Sequence, residues 1–178
     1  MIRLKQLLFE MTDADIKRCL DKIKNKQFRL IGAGDNGRVY EIDGEDKTFK
    51  ITKEQDEYEV ADRIVDRYSE FTTFIPVYYV DGKNMYIMAN ALELPIRIKK
   101  SIDLFMQDYA VFARDEGGEV SIFDFVQETD SIDPMIDNFL NALKMDIDKL
   151  NISEFDLDLD FKSDNIMMWN GNMVMIDW

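Results

Sequence analysis

The chain has 178 residues, 46% of them hydrophobic, which is enough for one ordinary domain or two small lobes. Its formal net charge of −14 repels phosphate backbones and anionic lipid, which argues against nucleic acid and membranes as partners. Histidine is absent and Cys19 is the single cysteine, which excludes catalytic triads, His- or Cys-built zinc sites and an internal disulfide. With no membrane-length apolar run and no signal-peptide pattern, we expect a cytoplasmic protein.

The N-terminal stretch, residues 1–26, has apolar residues at helical spacing. Thr12 and Asp15 stand three positions apart, as in a capping box that begins a helix. We expect this stretch to pack against the following domain rather than to carry chemistry. From about residue 28 to 88 the apolar period changes to two, which is typical of strands.

Two strong turn signals divide this strand region. Asp43-Gly44 and Asp81-Gly82 each separate two alternating segments, as expected for β-hairpins. Between the hairpins, residues from Lys53 to Tyr68 show a helical apolar face. The predicted order is therefore strand, glycine loop, strand, turn, strand, helix, strand, turn and strand.

The second half of the chain is mainly helical. One helical pattern follows Pro95 and breaks at Glu116-Gly117-Gly118. Another begins near Ser131 and has Pro134 in its first turn, a position that suits proline. Near the end, Asn170-Gly171 lies between two short strand-like segments and predicts a two-residue hairpin.

The glycine loop is a candidate phosphate-binding element. Gly32, Gly34 and Gly37 lack the Cβ that would keep a phosphate from the backbone, and glycine also tolerates the positive φ of sharp turns. A dinucleotide-binding domain would place a helix directly after this loop, whereas Arg38–Ile42 alternates like a strand. The strand context favours a nucleotide-gripping loop, and a plain hairpin turn is the alternative.

Lys50, at the end of the third predicted strand, is a candidate for holding nucleotide phosphates. Such a lysine needs a carboxylate partner. Glu57 is the best candidate because it shares the apolar face of the predicted helix, whereas Glu59 falls on a charged face. Glu54 stays open as a partner, and ordinary surface charges are the alternative for all of these residues.

The most specific segment runs from Asp160 to Asn165 and is followed, after the hairpin, by Asp177. An Asp that orients an attacking hydroxyl, together with an Asn and a second Asp that bind Mg²⁺, is what phosphoryl transfer from ATP requires. A calcium-binding EF-hand loop is excluded because Phe161 and Met167 stand where Gly and Glu are needed. A solvated acidic edge strand is the remaining alternative.

These motifs carry a resemblance to a known superfamily. The residues Asp-Phe-Lys-Ser-Asp-Asn-Ile-Met, from Asp160 to Met167, resemble the catalytic loop of protein kinases. The ending Ile-Asp-Trp resembles the metal-binding strand of aminoglycoside-phosphotransferase-type kinases. The resemblance covers about Ile31 to Trp178, with the motifs in the family's order, and short kinase-like chains of bacterial viruses offer an analogy for its origin.

The resemblance implies an α+β, compact, two-lobed kinase-like fold. It predicts an N-terminal extension at 1–26, a first lobe at 27–90 with a five-stranded antiparallel sheet and one helix, and a short second lobe at 91–178. The second lobe would hold two helices and the catalytic hairpins. Because the sequence ends at Trp178, the resemblance predicts no activation loop. The alternatives are a minimal kinase, packing of this lobe by the helix at 1–26, completion by a partner protein or a second copy, and a loss of activity.

The resemblance also implies residue roles. Asp160 would be the catalytic base and Lys162 would neutralise the transferring phosphoryl group. Asn165 and Asp177 would bind Mg²⁺ or Mn²⁺, and Lys50, paired with Glu57, would hold the α- and β-phosphates of ATP. The remaining nucleotide contacts would come from the glycine loop, the gatekeeper and the hinge, namely Gly32, Gly34, Gly37, Val39, Met88, Ala89 and Ala91.

We therefore expect an ATP- and Mg²⁺-dependent phosphotransferase that acts on a hydroxyl of a protein or a small molecule. One departure is Asp158, which stands where the family has a structural His. This departure and the short second lobe favour the rival hypothesis, a pseudokinase that binds nucleotide or a partner protein without phosphoryl transfer. A small acidic interaction protein with chance motifs is a third reading. The sequence does not identify the phosphate acceptor.

Overall fold

A computed structural model describes the chain in four stretches, residues 11–117, 120–129, 133–151 and 161–177. The chain divides into two compact units. The first contains the described residues up to Phe71 together with Pro76–Asn90. The second contains Thr72–Ile75 and the described residues from Ala91 onward. A short segment between two parts of the first unit thus belongs to the second, which the sequence pattern did not indicate.

In the residues that the structure describes, the first unit is an antiparallel sheet with two α-helices. Its five strands pair in the order β1-β2-β3-β5-β4. The predicted order of strands, loop and helix is confirmed. The elements are α1 (Asp13–Lys24), β1 (Phe28–Ala33), β2 (Gly37–Ile42), β3 (Lys47–Thr52), α2 (Gln55–Val65), a 3₁₀ turn (Tyr68–Glu70), β4 (Val77–Val80) and β5 (Met85–Ala89).

Helix α2 is shorter than the apolar pattern suggested. The Thr52 hydroxyl accepts a hydrogen bond from the Glu54 N–H at 3.0 Å, and Glu54 is extended with ψ 122°. This local bond competes with helical geometry, so the helix begins at Gln55 instead of near Lys53. At the other end, the helix stops at Val65, and Tyr68 lies in the following 3₁₀ turn instead of in the helix.

Helix α1 packs on one face of the sheet. Its N-terminus carries the predicted capping box, in which Thr12 and Asp15 exchange hydrogen bonds between side chain and backbone. Cys19 from this helix joins Phe49 and other strand residues in a buried apolar cluster. At the helix surface, Arg18 and Lys22 both bind the Glu45 carboxylate, and the hydrogen bond from Arg18 helps to lower the pKa of Glu45 to about 2.

The second unit combines a small sheet with helices. Its strands pair in the order β6-β7-β8, all antiparallel. In the part of this unit that the structure describes, no helix is long and apolar enough to cross a bilayer, and the same holds for the described part of the first unit. The elements are β6 (Leu92–Glu93), α3 (Ile96–Asp115), α4 (Ile122–Glu128), α5 (Pro134–Leu150), β7 (Ile166–Trp169) and β8 (Asn172–Met175).

The expectation of two helices in this unit is wrong, because α4 is a third. Ser121 caps α4 by accepting a hydrogen bond from the Phe123 N–H at 3.1 Å. Phe123 and Phe125 are buried. The helix has only seven residues, so its apolar residues do not repeat over enough turns to show a helical period.

The hairpin between β7 and β8 is formed as its sequence predicts. Asn170 and Gly171 have φ values of 49° and 82°, the two left-handed residues that a tight hairpin turn of this type requires. Helix α5 begins at Pro134 behind the N-cap Asp133, later than the expected start near Ser131, and it has Pro134 in its first turn as expected. These local signals suffice because turn and cap geometry depend on neighbouring residues alone.

Replacing Gly37 with alanine should destabilise the fold. An added Cβ at Gly37 would lie 2.5 Å from the Ile51 carbonyl oxygen on the adjacent strand, and that backbone cannot move without disturbing the sheet. We expect a loss of about 1–3 kcal/mol in the free energy of unfolding, measured by chemical denaturation. Gly34→Ala is the control, since nothing lies within 4 Å of its added Cβ. Equal stabilities of the two variants would contradict the close approach.

Candidate nucleotide-binding and metal-binding residues

Lys50 and Glu57 form a buried ion pair in the first unit. Lys50 Nζ lies 2.5 Å from Glu57 Oε1, and the two side chains are 6% and 2% exposed. Glu54 and Glu59, the other candidate partners, are exposed. Lys50 comes from β3 and Glu57 from the first turn of α2, so the pair joins the helix to the middle strand of the sheet.

Two further residues, which the sequence analysis missed, bind the same carboxylate. Tyr86 donates its hydroxyl to Glu57 Oε1 at 2.5 Å, and Thr52 donates its hydroxyl to Glu57 Oε2 at 2.5 Å. Tyr86 lies directly opposite Lys50 in the β3–β5 register. A buried carboxylate is costly unless its oxygens accept hydrogen bonds, and here both oxygens do. We refer to Lys50, Glu57, Thr52 and Tyr86 as the Glu57 cluster.

A sequence signal existed for Thr52 but not for Tyr86. Thr52 is two positions after Lys50 on one strand, so both side chains point to the same face. The contact between Tyr86 and Glu57 depends on which residues of β3 and β5 face each other. That register is set by the tertiary structure rather than by spacing along the chain.

The glycine loop is anchored to the residues that follow β3. The Lys53 N–H donates to the Asn36 carbonyl at 2.8 Å, and Lys53 Nζ donates to the Asp35 carbonyl at 2.8 Å. Across the loop, the Gly34 N–H donates to the Gly37 carbonyl at 3.0 Å. The loop is therefore held next to the end of the strand that carries Lys50.

The loop glycines are not required for the reason that the sequence suggested, a backbone with positive φ. Gly32, Gly34 and Gly37 do not have positive φ, so the expectation that the turn requires left-handed glycine is wrong. Gly37 is needed because the Ile51 carbonyl on β3 occupies the space of a Cβ. Gly34 has open space where its Cβ would be, which suits the close approach of a phosphate.

The expected adenine contacts of the first unit lie on β2 and β5. Val39 is half-buried, and Met88 and Ala89 are buried. The Ala89 N–H donates to the Pro76 carbonyl at 2.9 Å, and the Ala89 carbonyl accepts from the Thr48 hydroxyl at 3.4 Å. Ala91 is partly buried and belongs to the second unit.

In the second unit, a backbone hydrogen bond connects the two segments that carry the expected metal ligands. Asn165 directly precedes β7, and its carbonyl accepts from the Ile176 N–H at 2.9 Å, next to Asp177. Amide and carboxylate oxygens suit Mg²⁺, which usually binds through one or two protein oxygens, water and phosphate. Among the residues that the structure describes, no group of three His, Cys, Asp or Glu side chains could hold a metal.

The catalytic loop is described only in part. Lys162 is exposed, and its carbonyl accepts from the Asn165 N–H at 3.0 Å in the turn that leads into β7. Asp160 and Asp158 lie outside the described residues, so the expected base and the departure beside it stay predictions. The structure places the nucleotide candidates Lys50 and Glu57 in the first unit and the metal candidates in the second.

Comparison with known proteins gives a structural likeness alone. No protein-family model matches the chain and no curated protein matches it. The chain is similar to a solved structure described as the streptomycin–ATP–APH(2″)-IIa ternary complex, with 18% sequence identity and a TM-score of 0.39. The alignment covers 93% of this chain and 71% of that chain. At this identity, any assignment of function depends on the chain's own residues.

Proposed function

We propose that the chain is an ATP- and Mg²⁺-dependent phosphotransferase that acts on a hydroxyl group of a small molecule or a protein. The observation that carries the proposal is the buried Lys50–Glu57 pair beside the anchored glycine loop. Lys50, paired with Glu57, would hold the α- and β-phosphates, with the loop backbone covering them. Asn165 and Asp177 would hold the metal, and Asp160 and Lys162 would act at the transferring group.

The burial of the pair favours a functional role. A buried ion pair adds little stability on average, because removing two charges from water costs about as much as their attraction returns. Burial of Lys50 and Glu57 therefore needs another reason. Lys50 Nζ binds the Glu57 carboxylate, and an ammonium group carries three donors, so a lysine can bind a carboxylate and phosphate oxygens at the same time.

Asp160 and Lys162 would act in the phosphoryl-transfer step itself. The acceptor hydroxyl oxygen forms a bond to the γ-phosphorus, its proton passes to the Asp160 carboxylate, and the bond from the γ-phosphorus to the bridging oxygen breaks. The electron pair of that bond leaves with ADP. Lys162 offsets the negative charge of the phosphoryl group during transfer. Bound Mg²⁺ supplies further neutralisation of phosphate charge.

Replacing Asp160 with asparagine should abolish transfer. We expect incorporation of label from γ-labelled ATP, with Mg²⁺ or Mn²⁺, to fall by about 10²–10⁴-fold, because general base catalysis contributes that much. The acceptors offered are the chain itself, a generic protein, an aminoglycoside and a bacterial lysate. Asp164→Asn is the control, since it removes the same charge from an exposed position of the same loop.

Two results of this assay would count against the proposal. Equal labelling by the native chain and Asp160→Asn would show that Asp160 is not the base. Nucleotide binding without labelling by either protein, for any acceptor, would support the pseudokinase alternative instead.

A second prediction separates the function of the ion pair from its effect on stability. Lys50→Met leaves the Glu57 charge buried without its cation, and we expect a loss of about 3–5 kcal/mol in unfolding free energy. Adding Glu57→Gln removes that charge and should recover most of the loss. Affinity for ATP should stay at least about tenfold weaker in both variants, because a charge-assisted hydrogen bond to phosphate is missing.

Calorimetry with ATP and thermal unfolding provide the two measurements. Lys83→Met, which removes a lysine charge from an exposed turn, is the matched control and should change neither quantity. Native affinity for ATP in the Lys50→Met/Glu57→Gln variant would contradict the proposed role of Lys50.

A further inference from the structure

A second buried carboxylate, Asp146 on α5, accepts hydrogen bonds from a segment distant in sequence. The side chain is 1% exposed. Its Oδ2 accepts from the backbone N–H groups of Thr72 at 2.7 Å and Thr73 at 2.9 Å. The same oxygen accepts from the Thr73 hydroxyl at 2.8 Å and the Thr72 hydroxyl at 3.2 Å. Oδ1 accepts from Lys149 Nζ at 2.6 Å.

These donors keep Asp146 charged. Burial alone would raise the pKa of Asp146, but the hydrogen bonds from Lys149, Thr72 and Thr73 outweigh burial and lower the pKa. Charge-assisted hydrogen bonds are shorter and stronger than neutral ones, and two of these come from successive backbone N–H groups. Asp146 therefore fixes the backbone at Thr72 and Thr73, and not only their side chains.

The fixed segment pairs with the last strand. The Met175 N–H donates to the Thr73 carbonyl at 2.7 Å, and the Ile75 N–H donates to the Met175 carbonyl at 3.0 Å. Phe74 forms a parallel bridge with Met175. Thr73, Phe74, Ile75 and Met175 are all buried. Thr72–Ile75 is thus joined to β8 by one parallel bridge and two backbone hydrogen bonds, and to α5 through Asp146.

From β8 the contacts continue to the expected metal ligands. Met175 is followed by Ile176, whose N–H binds the Asn165 carbonyl, and then by Asp177. All of these residues belong to the second unit. One hydrogen-bonded route therefore leads from Asp146 through Thr73 and Met175 to the backbone of Asn165 and Asp177.

We propose that Asp146 is a positioning residue for the metal site, acting through Thr72–Ile75 and β8 on Asn165 and Asp177. The inference rests on the proposed function, because it takes Asn165 and Asp177 as the ligands. Residues that orient metal ligands without touching the metal commonly change metal affinity when they are replaced. A residue with only a structural role would lower stability and leave the metal affinity of the folded protein unchanged.

The test compares Asp146→Asn with Asp148→Asn in the full chain. Asp148 is exposed on the same helix, so its variant has the same change of charge without the hydrogen bonds to Thr72 and Thr73. Mn²⁺ affinity is measured by electron paramagnetic resonance in the presence of a non-hydrolysable ATP analogue. Affinity for the analogue without metal is measured separately. We expect Asp146→Asn to bind Mn²⁺ about tenfold more weakly, with metal-free affinity for the analogue unchanged.

A second variant covers the case in which Asp146→Asn does not fold. Thr73→Val keeps the side-chain shape and the backbone N–H but removes one donor to Asp146. We expect a smaller loss of Mn²⁺ affinity, together with faster hydrogen exchange at the Met175 and Ile75 amides, which pair the segment with β8.

The outcomes separate this inference from the proposed function. Native Mn²⁺ affinity in folded Asp146→Asn, or in Thr73→Val if the first variant does not fold, would overturn the inference and leave the proposed function standing. A native chain that binds no Mn²⁺ with the analogue would overturn the metal site itself, and the inference with it. Weaker Mn²⁺ binding in Asp146→Asn but not in Asp148→Asn would support it.

Discussion

The buried carboxylate of Glu57 is the constraint on which the arrangement of the first unit depends. A charge that is almost fully removed from water must have donors on both oxygens, and these come from β3 and β5. Meeting that demand fixes where α2 lies against the sheet. It also fixes the end of β3, from which Lys53 holds the glycine loop. One electrostatic requirement thus organises the strand, the helix and the loop together.

The second unit meets a similar requirement in a different way. Asp146 is as deeply buried as Glu57, but its donors include two successive backbone N–H groups of one short segment. The carboxylate therefore fixes the course of the chain as well as the side chains that bind it. In the first unit the buried acid contacts Lys50 directly, and in the second unit Asp146 is connected to Asn165 through Thr73, Met175 and Ile176.

Local features of the fold were predictable because their physics is local. The hairpin at Asn170-Gly171 and the capping box at Thr12 depend on residues within a few positions of each other. Alternation and turn signals predicted the order of the strands, the loop and the helix, whereas the α+β class and the five-stranded antiparallel sheet were implied by the resemblance. Helix α4 was missed because seven residues are too few to show a helical period. The expected positive φ of the loop glycines was wrong because the approach of β3, not the turn, requires Gly37.

By itself, the sequence determined the chemical groups that this protein can use, the alternation that makes the sheet, and the turns that close its hairpins. Only the tertiary structure decided which buried groups meet. Tyr86 binds Glu57 because of the β3–β5 register, and Asp146 binds Thr73 across 73 positions of sequence. Such contacts follow from packing and strand register, which depend on the whole chain at once. Spacing along the sequence does not predict these contacts, because tertiary packing determines which residues are close together.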